Sequence, residues 1–200
     1  MVALLSLSLS ACTLQPGVSP TPPSSIPEDG DSRPTSAPVP PPEREESAYA
    51  AAYETLAEDE NTILEIVQGS LPPDSLKASE TGDYLALTTS FLNALLEDET
   101  IVGASGVGNL WLPDHARSSA STLERGGESY PFGWVQMMGC FQVRWEVLRT
   151  PDAPAEDSTL NQLLPYAVEL MYEPSARVWL ITNETDLGGT TDAPNCSSLS

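Results

Sequence analysis

Positive charge is what this chain has least of. Only 8 of its 200 residues are Lys or Arg, against 29 Asp and Glu, so the formal net charge is −21. A surface this acidic repels phosphate backbones and anionic lipid headgroups, which argues against nucleic acid as a partner and against charge-driven membrane attachment. Solubility alone is a sufficient reason for such a charge. Histidine is nearly missing too, since His115 is the only one. A single imidazole and separated thiols make no zinc ligand set, so no metal is expected. No Gly-x-Ser-x-Gly turn is present, because Gly103-Ala104-Ser105-Gly106 has the wrong spacing. Pairing of His115 with Ser105 or Ser118 therefore has no motif behind it, and a solvated surface histidine is the simpler reading. Gly103, Gly106 and Gly108 reverse the dinucleotide-binding order and have no Lys nearby, so they read as a turn rather than a phosphate cradle. No cofactor is implied. No apolar run approaches the roughly 20 residues that span a bilayer.

What is present divides into three parts. Residues 1–11 form a short apolar leader without charge, ending Leu9-Ser10-Ala11 before Cys12. An aliphatic residue, a small residue, Ala and then Cys resemble the lipobox of bacterial lipoproteins. The resemblance covers this terminus only. It implies a signal peptide over 1–11, cleavage before Cys12, and a diacylglyceryl group on the Cys12 sulfur. It places the mature protein outside the cytoplasm, held to the cell membrane by lipid, since two acyl chains anchor stably where one does so marginally. A signal peptide ordinarily opens with Lys or Arg, which this leader lacks; a true start further upstream accounts for that.

Residues 12–46 read as a lipidated Cys and a disordered stalk. Ten prolines fall between Pro16 and Pro42, and no aromatic does. Proline removes the amide donor and fixes φ, so neither helix nor sheet is expected. The 34 residues from Thr13 to Glu46 would reach about 105 Å as polyproline II, at roughly 3.1 Å each. Docking of a proline-recognising partner is the alternative use of such a segment. The stalk holds six acids and two bases, which leaves 23 and 6, or −17, for the rest.

Residues 47–200 carry every Trp and read as one acidic domain with a flexible C-terminal tail. Tyr49, Ala52, Tyr53, Leu56, Ile63, Leu64, Ile66 and Val67 recur at helical spacing, with Glu54, Glu58, Asp59 and Glu65 assigned to the other face, predicting a helix over 47–68 capped by Gly69. A second helix is predicted over 83–97, its buried stripe being Tyr84, Leu87, Phe91, Leu92 and Leu95. A third is predicted over 113–125, from Pro113 to Gly126-Gly127. The period then falls to two. Val135, Met137, Gly139, Phe141, Val143, Trp145 and Val147 predict one long strand, bent at Gly139. Tyr166, Val168, Leu170 and Tyr172 predict a second, and Val178, Leu180 and Thr182 a third, around a turn at Glu173–Ala176. The fold class is α+β, with N-terminal helices packed on one face of an antiparallel β-meander. The element order is similar to that of cystatin-like and nuclear-transport-factor-like cones, as architecture only. One core is expected from Tyr53, Leu56, Ile63, Phe91, Leu95, Phe141, Val143, Trp145, Val168, Leu170 and Leu180.

Few residues point to chemistry. Lipidation of Cys12 leaves Cys140 and Cys196, an even pair that an exported chain is expected to oxidise to a disulfide. Asn183–Gly188 has a calcium-loop look but sets Leu187 at a ligand position. Arg144, with Gln136, Gln142 and Glu146, marks a polar strand face that suits either a pocket lining or open water. Three functions remain: a non-catalytic envelope module binding a protein or small ligand, a carboxylate-dependent envelope hydrolase, and a structural subunit of an envelope complex. Two inward carboxylates with perturbed pKa values in one pocket would favour the second. A large exposed apolar patch would favour the third.

Overall fold

The computed structural model describes residues 38–150, 152, 161–191 and 193–196. Cys12, the leader and most of the stalk lie outside the described residues, as does most of the acidic loop after Thr150.

Helix α1 spans Glu45–Val67. The Ser47 hydroxyl accepts the Arg44 N–H at 3.2 Å, and Glu45 and Glu46 occupy the first turn, where the helix dipole favours acids. At the far end Gly69 takes φ 76°, and its N–H and that of Ser70 cap the carbonyls of Ile66 and Glu65. Pro72-Pro73 breaks the path, a 3-10 helix covers Pro73–Ala78, and α2 spans Gly82–Glu97. Seven strands follow: β1 (Ile101–Gly106), β2 (Leu110–Pro113), β3 (Ser119–Arg125), β4 (Glu128–Gln142), β5 (Trp145–Arg149), β6 (Leu163–Glu173) and β7 (Val178–Asp186). Among the described residues all pairings between these strands are antiparallel, and one isolated bridge, Glu80 to Ile181, is parallel. The main sheet runs β2-β4-β6-β7, with β3 also beside β4, while β1 and β5 form a separate ribbon. The helices pack against this meander, so the domain is α+β. Among the described residues no helix is long and apolar enough to cross a membrane.

Helix α1 serves two cores rather than the one expected. Its first half sets Ala48, Ala52 and Leu56 against Trp111, Val135, Met137, Val168, Leu170, Tyr172, Trp179 and Ile181 of the sheet. Its second half sets Ile66 and Val67 against Leu76, Leu92 and the ribbon residues Ala104, Trp145 and Val147. Tyr53, Leu56, Phe141, Val168 and Leu170 belong to the first cluster, Ile63, Leu95 and Trp145 to the second, and Val143 and Leu180 to neither.

Four expectations need correction. Residues 113–125 are not a helix but the end of β2, a turn at 115–117, and β3. Gly126 and Gly127, with φ 63° and 83°, make the two-residue turn that joins β3 to β4, a geometry only glycine-like residues adopt easily. The long strand ends at Gln142 and resumes as β5 in the other sheet, because Val143 leaves the ladder to exchange hydrogen bonds with Asn161 and Gln162. In β7 the inward residues are Trp179 and Ile181, with Leu180 on the opposite face, because Trp179 stands across the ladder from inward Tyr172 and Ile181 from inward Leu170; the register shift beyond Ile181 then sets Glu184 opposite Val168. On α2, Leu87 and Phe91 point outward at 69% and 57% exposure, while Leu85, Leu92 and Leu95 face the second core.

Residues assigned to the stalk also contribute. The Val39 N–H donates to the Arg177 carbonyl at 2.7 Å, Tyr172 Oη donates to the Val39 carbonyl at 2.9 Å, and the Val39 side chain packs on the first core.

Candidate functional site

The residues singled out from sequence do not converge. His115 lies in the turn after β2, its ring edge-on to Tyr49 at 5.9 Å. The Ser118 hydroxyl donates to the Asp114 carbonyl at 2.8 Å and accepts the Met138 N–H at 3.1 Å. Gly106 abuts the Arg144 carbonyl and Gly108 abuts Asn61, so both are close-approach positions and cradle nothing. Arg144 is held through its backbone N–H, which donates to Asn109 Oδ1 at 2.8 Å. The Cys140 and Cys196 sulfurs are 2.04 Å apart, with Cα atoms 5.6 Å apart, at disulfide distance. Cys140 is buried there, although it alternates with Phe141 onto the strand face that carries Gln136 and Gln142. Among the described residues no group of three or more His, Cys, Asp or Glu could hold a metal ion.

Burial instead picks out a set of carboxylates that sequence reasoning missed. Asp59 sits one helical turn after Leu56, on the inward stripe of α1, and is 2% exposed. Glu80, also 2% exposed, follows the 3-10 helix and forms a bridge with Ile181 of β7. Glu184 stands on the inner face of β7, opposite Val168. Glu60 completes the set from α1. Three of the four have donors: Ser79 Oγ to Asp59 Oδ1 at 2.5 Å, Asn109 Nδ2 to Glu60 Oε2 at 2.8 Å, and Tyr84 Oη to Glu184 Oε2 at 2.8 Å. Neither Glu80 oxygen has a partner.

Burial raises the pKa of all four, because a low-dielectric interior disfavours the charged form. Glu60 moves from the ordinary 4.5 to about 8, through burial first and the charge of Asp59 second. Asp59 and Glu80 both rise through burial first, with the charge of Glu184 adding to the rise of Asp59 and that of Asp59 to the rise of Glu80. Every charge acting on the four is acidic, so no cation offsets the rise. Tyr84 is held neutral by burial and by Glu184, and so stays a donor.

Asp59, Glu60, Tyr84 and Glu184 line a cavity with Trp111 and Phe141 that holds about 10 Å³. That is the lower limit for a single water. The arrangement can hold protons, but it has no room for a sugar or a peptide.

A larger groove adjoins it. About 610 Å³ lies open between Pro38–Pro40, α1, the 3-10 helix and the start of β7. Pro38, Val39, Pro40 and Val178 supply apolar surface over the buried Trp179, and Glu54 and Glu58 are exposed acids along its α1 wall. Ser79 lines the groove while donating to Asp59, so one hydroxyl separates groove from cluster. The Trp179 indole N–H is buried without a partner. No family model matches this chain, and no curated protein matches it.

Proposed function

We propose that this is a lipid-anchored extracytoplasmic lipoprotein whose domain is a non-catalytic binding module, and that the groove beside Trp179 takes a ligand joining an apolar group to a cation. One observation carries the binding reading: a concavity of about 610 Å³ with aliphatic and proline surface and two acids on one wall. That volume lies within the usual range for small-ligand sites. A cation is the complementary charge for Glu54 and Glu58 in a domain this acidic. The lipobox at Leu9-Ser10-Ala11-Cys12 supports the anchor, and the Cys140–Cys196 pair suits an oxidising compartment.

Two measurements test this. Intact mass of the natively expressed protein should report a diacylglyceryl adduct that Cys12→Ala abolishes; a protein without lipid removes the anchor. Tryptophan fluorescence, titrated with an oligolysine bearing one Phe, should change saturably, more weakly in salt, and not at all in a Glu54→Ala/Glu58→Ala double variant. An equal response in wild type and variant would refute the cationic ligand.

A second reading, a structural subunit of an envelope complex, draws on α2. Its outward Leu87 and Phe91 lie in a stretch, Tyr84–Leu96, that has no charged residue. Co-purification of a stoichiometric partner from solubilised membranes, lost on Phe91→Ser, would favour it.

A further inference from the structure

The segment Ser79–Tyr84 is held from two sides. Toward β7, the Ile181 N–H donates to the Ser79 carbonyl at 2.7 Å and the Thr81 N–H donates to the Ile181 carbonyl at 3.0 Å. Toward α1, Ser79 donates to Asp59, and from α2 Tyr84 donates to Glu184. Between these ties lies the Glu80 side chain, 2% exposed, with both oxygens unpartnered. A buried carboxylate without donors or a counter-cation is costly when ionised and far less so as the neutral acid. Asp59 and Glu60 face it from α1, Tyr84 and the Thr88 hydroxyl from α2, and Glu184 from β7, with Asp186 and Tyr166 acting on or beside Glu184. Thr88 is already committed to the Tyr84 carbonyl at 3.1 Å. None of these groups carries a positive charge.

We propose that Asp59, Glu60, Glu80 and Glu184 form a proton-held joint between α1, α2 and β7, and that loss of its protons frees the segment 79–97 from the sheet. The joint is a conformational device and does not depend on the groove having a ligand. Its pH sense follows from the raised folded values. An unfolded or opened carboxyl releases its proton near its ordinary value, whereas the closed joint keeps it to higher pH. Closure therefore takes up protons across a window that for Glu60 runs from 4.5 to about 8. The joint is tightest at the acid end of the window and weakens as pH rises through it. Ion-paired carboxylates behave in the opposite way.

Hydrogen exchange of the full-length protein, followed by mass spectrometry at pH 6, 7 and 8 and corrected for intrinsic rates, is the test. Opening of peptides within 79–97 should rise about tenfold per pH unit for each proton released, while β4 and β6 stay flat. Glu80→Gln, neutral at every pH, should remove much of that slope. No slope in 79–97, or a slope unchanged by Glu80→Gln, overturns the joint. Should that variant fail to fold, carboxyl carbon NMR on the wild type decides. One or more Asp or Glu side chains still protonated at pH 6 supports the proposal, and titration of all of them near pH 4 overturns it.

Discussion

Gly139 lies where β4 passes β2, and a Cβ there would come within 2.4 Å of the Leu112 carbonyl oxygen. A glycine in a strand read in sequence as a bend is thus a point of close backbone approach. Its neighbour Cys140 is paired with Cys196 across 56 residues of chain. Closing a loop of that length restricts the unfolded chain by roughly 4 kcal/mol in the entropic account. Denaturant unfolding of a Cys140→Ser/Cys196→Ser protein should show a loss approaching that figure, and a loss below about 1 kcal/mol would mean the bridge restrains little. At this scale the thiols were legible because there are so few of them. The buried carboxylates were not, because 29 acids give no single one prominence. Asp59 did leave a trace: it occupies the position after Leu56 where the inward stripe of α1 continues, and an acid there is a misplaced residue unless the interior can hold its proton. Glu80 left none, since its burial comes from a bridge between distant segments.

Helix α1 was readable in its extent, since Gly69 marks its stop, but Asp59, assigned in sequence to the polar face, is buried on the inward one. Helix α2 had readable bounds but an unreadable face. Leucine or phenylalanine occurs on all sides of it, and with no charge between Tyr84 and Leu96 the periodicity cannot choose which side turns inward. The structure buries Leu92 completely and exposes Phe91. Leu92→Ala should therefore cost about 2–5 kcal/mol in denaturant unfolding, and Phe91→Ser under about 1 kcal/mol. The reverse order would rotate the helix by one position and return Phe91 to the core. The missed hairpin of β3 and β4 had a signal of its own: Gly126-Gly127 between short segments rich in Ser, Thr and Tyr is a turn before it is a helix end. Pro113, a residue suited to the first turn of a helix, ends a strand instead.

The molecule carries carboxylates of two opposed kinds. Asp98 is lowered by Thr100 and by Arg149, and Glu173 by Ser175 and by Arg125, so their contribution is present at neutral pH and lost in acid, below the ordinary carboxylate value. Buried Asp59 and Glu80 and half-buried Glu60 and Glu184 work the other way. Over the whole chain the acids exceed the bases so far that self-repulsion should dominate exposed pairs such as Lys77–Asp74. Raising NaCl from about 10 to about 500 mM at pH 7 should therefore raise the thermal midpoint, since the Debye length falls from about 30 to several Å. A lower midpoint in salt would mean that the few ion pairs outweigh the repulsion. The class of fold was legible at this scale, as helical periodicity giving way to alternation. The division into two cores was not, because nothing in a stripe of apolar residues records which partner each half of the stripe will meet.

The fastening of Val39 has a mechanical consequence. A pull on the chain from its N-terminal side does not reach α1 first. It loads the hydrogen bonds from Val39 to Arg177 and from Tyr172 to Val39, both anchored around the turn between β6 and β7. Those two bonds and one aliphatic side chain act as a fuse in series with the helix: their release should lengthen the tether by the residues between Pro38 and Arg44, open one wall of the groove and strip Val39 from the edge of the first core, while the second core remains unloaded.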